Sequence, residues 1–177
     1  MTSGRMIIML GDITKLDVDA VVNAANSGLI GGGGVDGAIH RAAGSSLLDE
    51  CREIVKKQGG CPPGDAVMTG AGNMKCKKII HTVGPIWHDG NSNESTVLAS
   101  CYKKSLELAR QNGLKTVAFP NISTGVYGYP KIEAAKIALK TVDDFLEKDG
   151  TIEKVIFICF DDENFYIYSE EIKTFMK

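Results

Sequence analysis

The run VIFICF, residues 155–160, is apolar at every position and rich in β-branched and aromatic side chains, which suit a pleated strand. A strand sends alternate side chains to opposite faces, so a run with no polar position must be covered on both. Central strands of a parallel sheet flanked by helices behave in this way. Working outward, further strands are expected at Met6–Leu10, Val18–Ala24, Ala66–Gly70, Lys78–Val83 and Thr116–Pro120. Helical patterns lie between them. Ile132, Ala135, Leu139, Val142 and Leu146 recur at steps of three and four, as do Leu98, Tyr102, Leu106 and Ala109. Another helix begins in a glycine segment, runs through AIHRAAG and continues from Ser45 to about Gln58. A last one covers Glu163 to Phe175. Strands alternating with helices mark an α/β fold.

The chain of 177 residues is long enough to bury a core, and we expect one domain over residues 1–177 with a loosely ordered start at Met1–Arg5. A formal charge of -2 argues against a broad basic face for nucleic acid. The apolar run Met6–Leu10 is too short for a membrane span. Five cysteines, Cys51, Cys61, Cys76, Cys101 and Cys159, are scattered without metal-ligand spacing and read as reduced, partly buried thiols. His81 and Cys159 sit inside apolar runs and read as packing residues. No metal or cofactor is expected.

The unusual residues fall at strand ends: GDIT after the first strand, NAAN closing the second, NISTGVYGYP after the fifth, and Phe160-Asp161 closing the sixth. Ligand crevices of open α/β sheets lie at those carboxyl ends. Residues 23–44 read NAANSGLIGGGGVDGAIHRAAG. Gly32, Gly34 and Gly37 satisfy G-x-G-x-x-G, but they come after the second strand and about seven residues late for a dinucleotide fold. No GK[ST] follows, so a P-loop is excluded. A glycine turn opening a helix still bares N–H groups that can hold a phosphate. Ser123–Gly128, with hydroxyls at Ser123 and Thr124, forms a second such loop. Neither loop carries lysine or arginine, so backbone amides are expected to grip a diphosphate. Asp36 is then either a helix-start acid or a group aimed past the phosphates. Asp12 reads equally as a turn cap, and Asn26 and Asn23 as turn asparagines tolerated in the left-handed region.

GDIT, VVNAAN, GGGGVDGAIHRAAG, IIHTVGP and ISTGVYGYP, taken in order, resemble the motifs of the macrodomain family, in particular its MacroD-type branch. The resemblance spans Gly11 to about Phe160. It implies a three-layer α/β/α sandwich around a mixed, mostly parallel six-stranded sheet, with a cleft for ADP-ribose. It further implies hydrolysis of O-acetyl-ADP-ribose and removal of single ADP-ribose units from acidic side chains. Carried over, Asp12 accepts a bond from the adenine amino group beside the Ile13 amide, and Phe160 packs near the adenine. Gly34, Val35 and Asp36 belong to one phosphate loop, and Ser123, Thr124, Gly125, Val126 and Tyr127 to the other. Asn26, Asp36 and Tyr127 stand at the distal ribose as the catalytic candidates, with His40 as a support for Asp36 or a satisfied core histidine. Asn121 and Gly28 depart from common members and are expected beside the contacting positions.

The expected reaction is attack of a bound water on the ester, with Asp36 orienting or deprotonating it and Asn26 fixing it or a ribose hydroxyl. A free aspartate is a weak general base at neutral pH, so phosphate charge would assist Asp36, or a phosphate would take the proton itself. The rival readings are a non-catalytic reader of ADP-ribosylated proteins and an interaction protein that regulates a ribonuclease. Expected partners are ADP-ribose, O-acetyl-ADP-ribose and mono-ADP-ribosylated proteins, with a ribonuclease as a further candidate. Neither membrane nor nucleic acid is expected as a partner. We expect a cytoplasmic monomer.

Overall fold

The computed structural model describes residues 2–176. Its strands are β1 (Met6–Leu10), β2 (Ala20–Ala24), β3 (Ala66–Gly70), β4 (Lys78–Thr82), β5 (Thr116–Phe119) and β6 (Lys154–Cys159). Its helices are α1 (Gly34–Ala43), α2 (Ser45–Gln58), α3 (Glu94–Gln111), α4 (Lys131–Lys148) and α5 (Asp162–Glu171). The six strands form one sheet in the order β1-β6-β5-β2-β4-β3. All neighbours are parallel except β3, which runs antiparallel to β4 at the edge.

Strand alternation divides the core in two. Val21, Ile79, Ala118, Ile156 and Ile158 pack with Ile39, Leu47 and Cys51 of α1 and α2. Their neighbours Ala20, Val22, Ile80, Val117, Phe119, Val155 and Phe157 pack with Leu98, Tyr102, Leu139 and Tyr168 of α3, α4 and α5. The layers are therefore helix, sheet, helix, as the apolar run in β6 requires. Phe157 sits among Phe119 and Tyr168, with ring centroids 6.1 and 5.5 Å away. Removing such a buried ring costs about 3–5 kcal/mol.

Several ends differ from the sequence reading. β2 begins at Ala20 rather than Val18. Asp19 instead ties strand entrances together: its carbonyl accepts from Lys77 and Lys78, and its carboxylate accepts from the Lys115 N–H. The helical stretch after the glycines breaks at Gly44, where φ is +88°. The last helix opens on Asp161, whose carboxylate accepts from the Asn164 N–H at 2.8 Å, and after Glu171 it tightens into a 3-10 turn over Ile172–Phe175. Of the start expected to be loose, Met1 lies outside the described residues. Arg5 is tied down: its guanidinium donates to the carbonyls of Asp149 and Ile152 at 2.8 and 2.9 Å, and to that of Leu146.

Candidate functional site

A cleft of about 870 Å³ opens at the carboxyl ends of the parallel strands, a size that suits a small-molecule ligand. Its wall is built from the segments after β1, β2, β5 and β6 together with the start of α1. All twelve residues expected to contact a ligand, from Asp12 to Phe160, line it. Phe160, read from sequence as the end of a strand, leaves the ladder after Cys159 and stands 85% exposed at the rim. Its ring is therefore free to meet a flat group.

Asp12 follows edge strand β1. Its Oδ1 accepts from the Thr14 N–H at 2.9 Å and the Thr14 hydroxyl at 2.7 Å, capping a 3-10 turn. The hydroxyl bond, then the amide bond, holds its carboxyl below the usual aspartate range. Both bonds use one oxygen, so Oδ2 is left for a ligand. The cap reading and the ligand reading are compatible.

The two glycine loops present bare amides. The first N–H groups of a helix have no intrahelical acceptor, and at α1 these belong to Gly34, Val35 and Asp36. Gly34 enters the helix at φ +57°, a conformation that glycine adopts without strain. Gly37 is glycine for a different reason: a Cβ there would collide with the Gly32 carbonyl. In the second loop the N–H groups of Thr124, Gly125, Val126 and Tyr127 donate to no acceptor among the described residues. Its hydroxyls, expected to serve the ligand, serve the scaffold instead. Ser123 donates to the Pro85 carbonyl at 2.8 Å and Thr124 to that of Asn121 at 3.3 Å. The loops do lack cations, yet Arg41 from α1 and Lys131 from α4 also line the cleft. Lys131 is bound to Glu163 at 2.8 Å.

At the other end Asp36 is 6% exposed. Its Oδ1 accepts from Asn23 Nδ2 at 2.8 Å and lies 3.4 Å from His40 Nε2, so His40 does abut Asp36. Its Oδ2 faces Gly32: a Cβ placed on Gly32 would lie 3.4 Å from that oxygen and 3.7 Å from Asn26 Nδ2. Carboxylate and amide thus flank the same side-chain-free spot. Asn26 also braces its own loop, donating to the Gly31 carbonyl at 2.8 Å and accepting from the Ile30 N–H at 3.2 Å. That leaves one amide hydrogen and one carbonyl lone pair for a ligand.

Three sequence readings are corrected here. Asn23 is not a left-handed turn residue; it lies in β2, wholly buried, and holds Asp36. Asn26 is likewise outside the left-handed region, where the non-glycine residues among the described ones are Leu29, Asn93 and Ser123. Asn121 lines the cleft rather than standing beside it. His81, read as packing, is buried but hydrogen-bonded on both ring nitrogens. Parity could have exposed Asn23 and His81: each lies two residues beyond an apolar residue that faces α1 and α2 (Val21 and Ile79).

Glu94, at the start of α3, was missed as well. It accepts from the N–H groups of His88, Asp89, Gly90 and Ser92, and the His88 bond leads in pushing its carboxyl down to about 2. The loop it gathers backs the second glycine loop, with Trp87 N–H donating to the Tyr127 carbonyl at 2.8 Å. Thiol chemistry finds no support. All five cysteines are buried and unpaired, and burial pushes Cys51 and Cys159 up to about 11 and Cys61 up to about 12.

Comparison with known proteins agrees with this geometry. The Macro domain family profile matches residues 22–138. The O-acetyl-ADP-ribose deacetylase of Klebsiella pneumoniae is 55% identical over 168 residues, covering 95% of this chain and 96% of that protein. The protein of the same name in Escherichia coli is 54% identical over 164 residues, covering 93% of each. Among solved structures, the Oceanobacillus iheyensis macrodomain with ADP superposes with a TM-score of 0.92 at 44% identity, over 96% of this chain and 90% of that one. A Trypanosoma brucei macrodomain in complex with ADP-ribose gives 0.86 at 40% identity, over 94% of this chain and 68% of that one. The chain belongs to the Macro domain family.

Proposed function

We propose that the chain hydrolyses the ester of O-acetyl-ADP-ribose, releasing acetate and ADP-ribose. The observation that carries this reading is the convergence of Asp36 Oδ2 and Asn26 Nδ2 on the bare face of Gly32, beside two loops of free amides. The amides of Gly34–Asp36 and Thr124–Tyr127 hold the diphosphate, while Asp12 and the Ile13 N–H take the adenine edge and Phe160 its face. Tyr127 borders the distal ribose. A water beside Gly32 is held by Asp36 and Asn26. Its oxygen adds to the acyl carbon, and the bond from that carbon to the ribose oxygen breaks. The proton that Asp36 receives from the water returns to that ribose oxygen. No covalent enzyme intermediate is required.

The same step serves the ester that links one ADP-ribose unit to an aspartate or glutamate of a protein, because only the acyl group differs. Val126, which lines the cleft, is fully exposed, and this leaves that wall accessible to a bulky substrate. O-acetyl-ADP-ribose, its product ADP-ribose and mono-ADP-ribosylated proteins are thus the proposed partners. Five free thiols support a reducing, cytoplasmic setting. The test is to incubate the protein with O-acetyl-ADP-ribose and follow acetate release alongside calorimetry of ADP-ribose. Release with a saturable rate supports the hydrolase. Binding without release makes the protein a reader.

A further inference from the structure

A buried polar chain runs from Asp36 across the sheet: Asn23 in β2, His81 in β4, Thr69 in β3. Asn23 and His81 are directly paired in the ladder, and all four residues are at most 6% exposed. Asn23 Nδ2 lies 2.8 Å from Asp36 Oδ1 and 3.1 Å from His81 Nδ1. His81 Nε2 lies 2.9 Å from the Thr69 hydroxyl, which donates to the Gly70 carbonyl at 2.9 Å.

The proton inventory fixes every direction in this chain. A threonine hydroxyl has one hydrogen, and that of Thr69 goes to Gly70. His81 Nε2 must therefore carry the proton and donate to Thr69. Burial, with His40 adding to it, pushes His81 down to about 3, so the ring is neutral and Nδ1 is an acceptor. Asn23 then turns its NH₂ group inward, one hydrogen to His81 and the other to Asp36. The sign of that choice is visible in what it leaves behind, since Asn23 Oδ1 is buried with no partner among the described residues. A buried carbonyl without a donor is unfavourable. The opposite amide orientation would set that carbonyl against Asp36, two acceptors face to face. It would also free Asp36 to rotate Oδ2 away from Gly32.

We propose that His81 is a positioning residue for hydrolysis: by accepting from Asn23 it fixes the amide that pins Asp36 Oδ1 and so aims Asp36 Oδ2 at the bound water. Thr69 sets the tautomer from the far side. This inference rests on Asp36 acting on the ester. His40 is the other group touching Asp36 Oδ1, and at 3.4 Å it complements the shorter Asn23 bond.

The experiment compares His81→Leu with His81→Asn. Leucine keeps apolar volume but removes the acceptor, whereas asparagine returns an acceptor near the position of Nδ1. Single-turnover hydrolysis of O-acetyl-ADP-ribose, calorimetry of ADP-ribose and the NMR signal of the Asn23 side-chain amide are read in both. His81→Leu is expected to lose about 10–100-fold in turnover, the range found when partners that orient metal-bound ligands are removed. Its ADP-ribose affinity stays within about 3-fold, and its Asn23 amide loses exchange protection. His81→Asn regains most of the rate and the protection. Should His81→Leu fail to fold, Thr69→Val tests the same chain, with the expectation of a smaller rate loss and unchanged binding. A folded His81→Leu at full rate overturns the proposal, and so does equal impairment of the leucine and asparagine variants. Full-rate hydrolysis by Asp36→Ala would instead sink the role of Asp36. The Asn23 amide signal would still report whether the chain is ordered as described.

Discussion

Asp12 and Asp36 line one cleft; Asp12 follows β1, while Asp36 sits on α1 and is held by Asn23 of β2. That strand is three places from β1 in the sheet and so roughly 14 Å away at the usual strand spacing. Asp12 is exposed, and its partner Thr14 lies two residues away. Any chain with that local sequence could form the same cap. Asp36 is buried, and its partners Asn23 and His40 come from a strand and from its own helix. An exposed carboxylate on a local turn suits reversible recognition of a polar edge. A buried one braced through the sheet suits a task in which a few tenths of an ångström matter.

The largest expected effect tests the Asp36 side of that contrast. Asp36→Ala should lower single-turnover hydrolysis by ~10²–10⁴-fold, the range for removing a general base, while calorimetry still finds ADP-ribose bound. A folded variant at full rate would reduce Asp36 to an acid at a helix start. Next is Gly32→Ala, because φ at Gly32 is not positive and its new methyl meets only ordinary contacts. The fold should survive, yet the methyl fills the spot between Asp36 and Asn26. Displacing the water should cost about 10²-fold in turnover, and an unchanged rate would move the reaction elsewhere in the cleft.

Asp12→Ala should act on binding instead. Losing a hydrogen bond to a charged group is worth ~1.5–3 kcal/mol, which should appear in the calorimetric affinity for ADP-ribose. Turnover at saturating substrate should change little. GDP-ribose should bind the native protein far more weakly, since guanine sets a carbonyl against the Asp12 carboxylate, and equal affinities would remove Asp12 from the adenine site. Between the two loops, Gly125→Val is the cleaner probe of the amide cradle. Gly125 has open space beside it and no positive φ, whereas Gly34 sits at +57°. Undiminished affinity in a folded Gly125→Val protein would count against the cradle.

The smallest effect comes from Glu94, a carboxylate held by main-chain N–H groups and remote from the chemistry. Its folded value of about 2 lies below its ordinary 4.5, so ionised Glu94 favours the fold above pH 4.5. That contribution fades as the pH falls toward 2. Glu94→Gln should flatten this part of the acid unfolding curve, followed by hydrogen exchange at Trp87, His88 and Gly90, whose N–H groups are bonded in and around this loop. Identical acid profiles for the variant and the native protein would leave Glu94 without this role.

Much of the molecule follows from local chemistry. The two-faced apolar run in β6 and the three-and-four spacing in α3 and α4 each specify their element within a few positions. The same holds for the cap at Asp12, because its partner is two residues away. Tertiary structure decided what depends on who stands opposite. Asn23 is an asparagine in a strand, and only the pairing of β2 with β4 and the descent of α1 onto that face set it between His81 and Asp36. The hydroxyls of Ser123 and Thr124 look like ligand donors until Pro85 and Asn121 are seen to accept them. Arg41 and Lys131 line the cleft from α1 and α4 rather than from the two glycine loops. Hydrophobic periodicity and backbone conformation are short-range and can be read along the chain. The direction of a buried hydrogen bond depends on every donor and acceptor around it, and folding brings those together from residues 23, 36, 69 and 81.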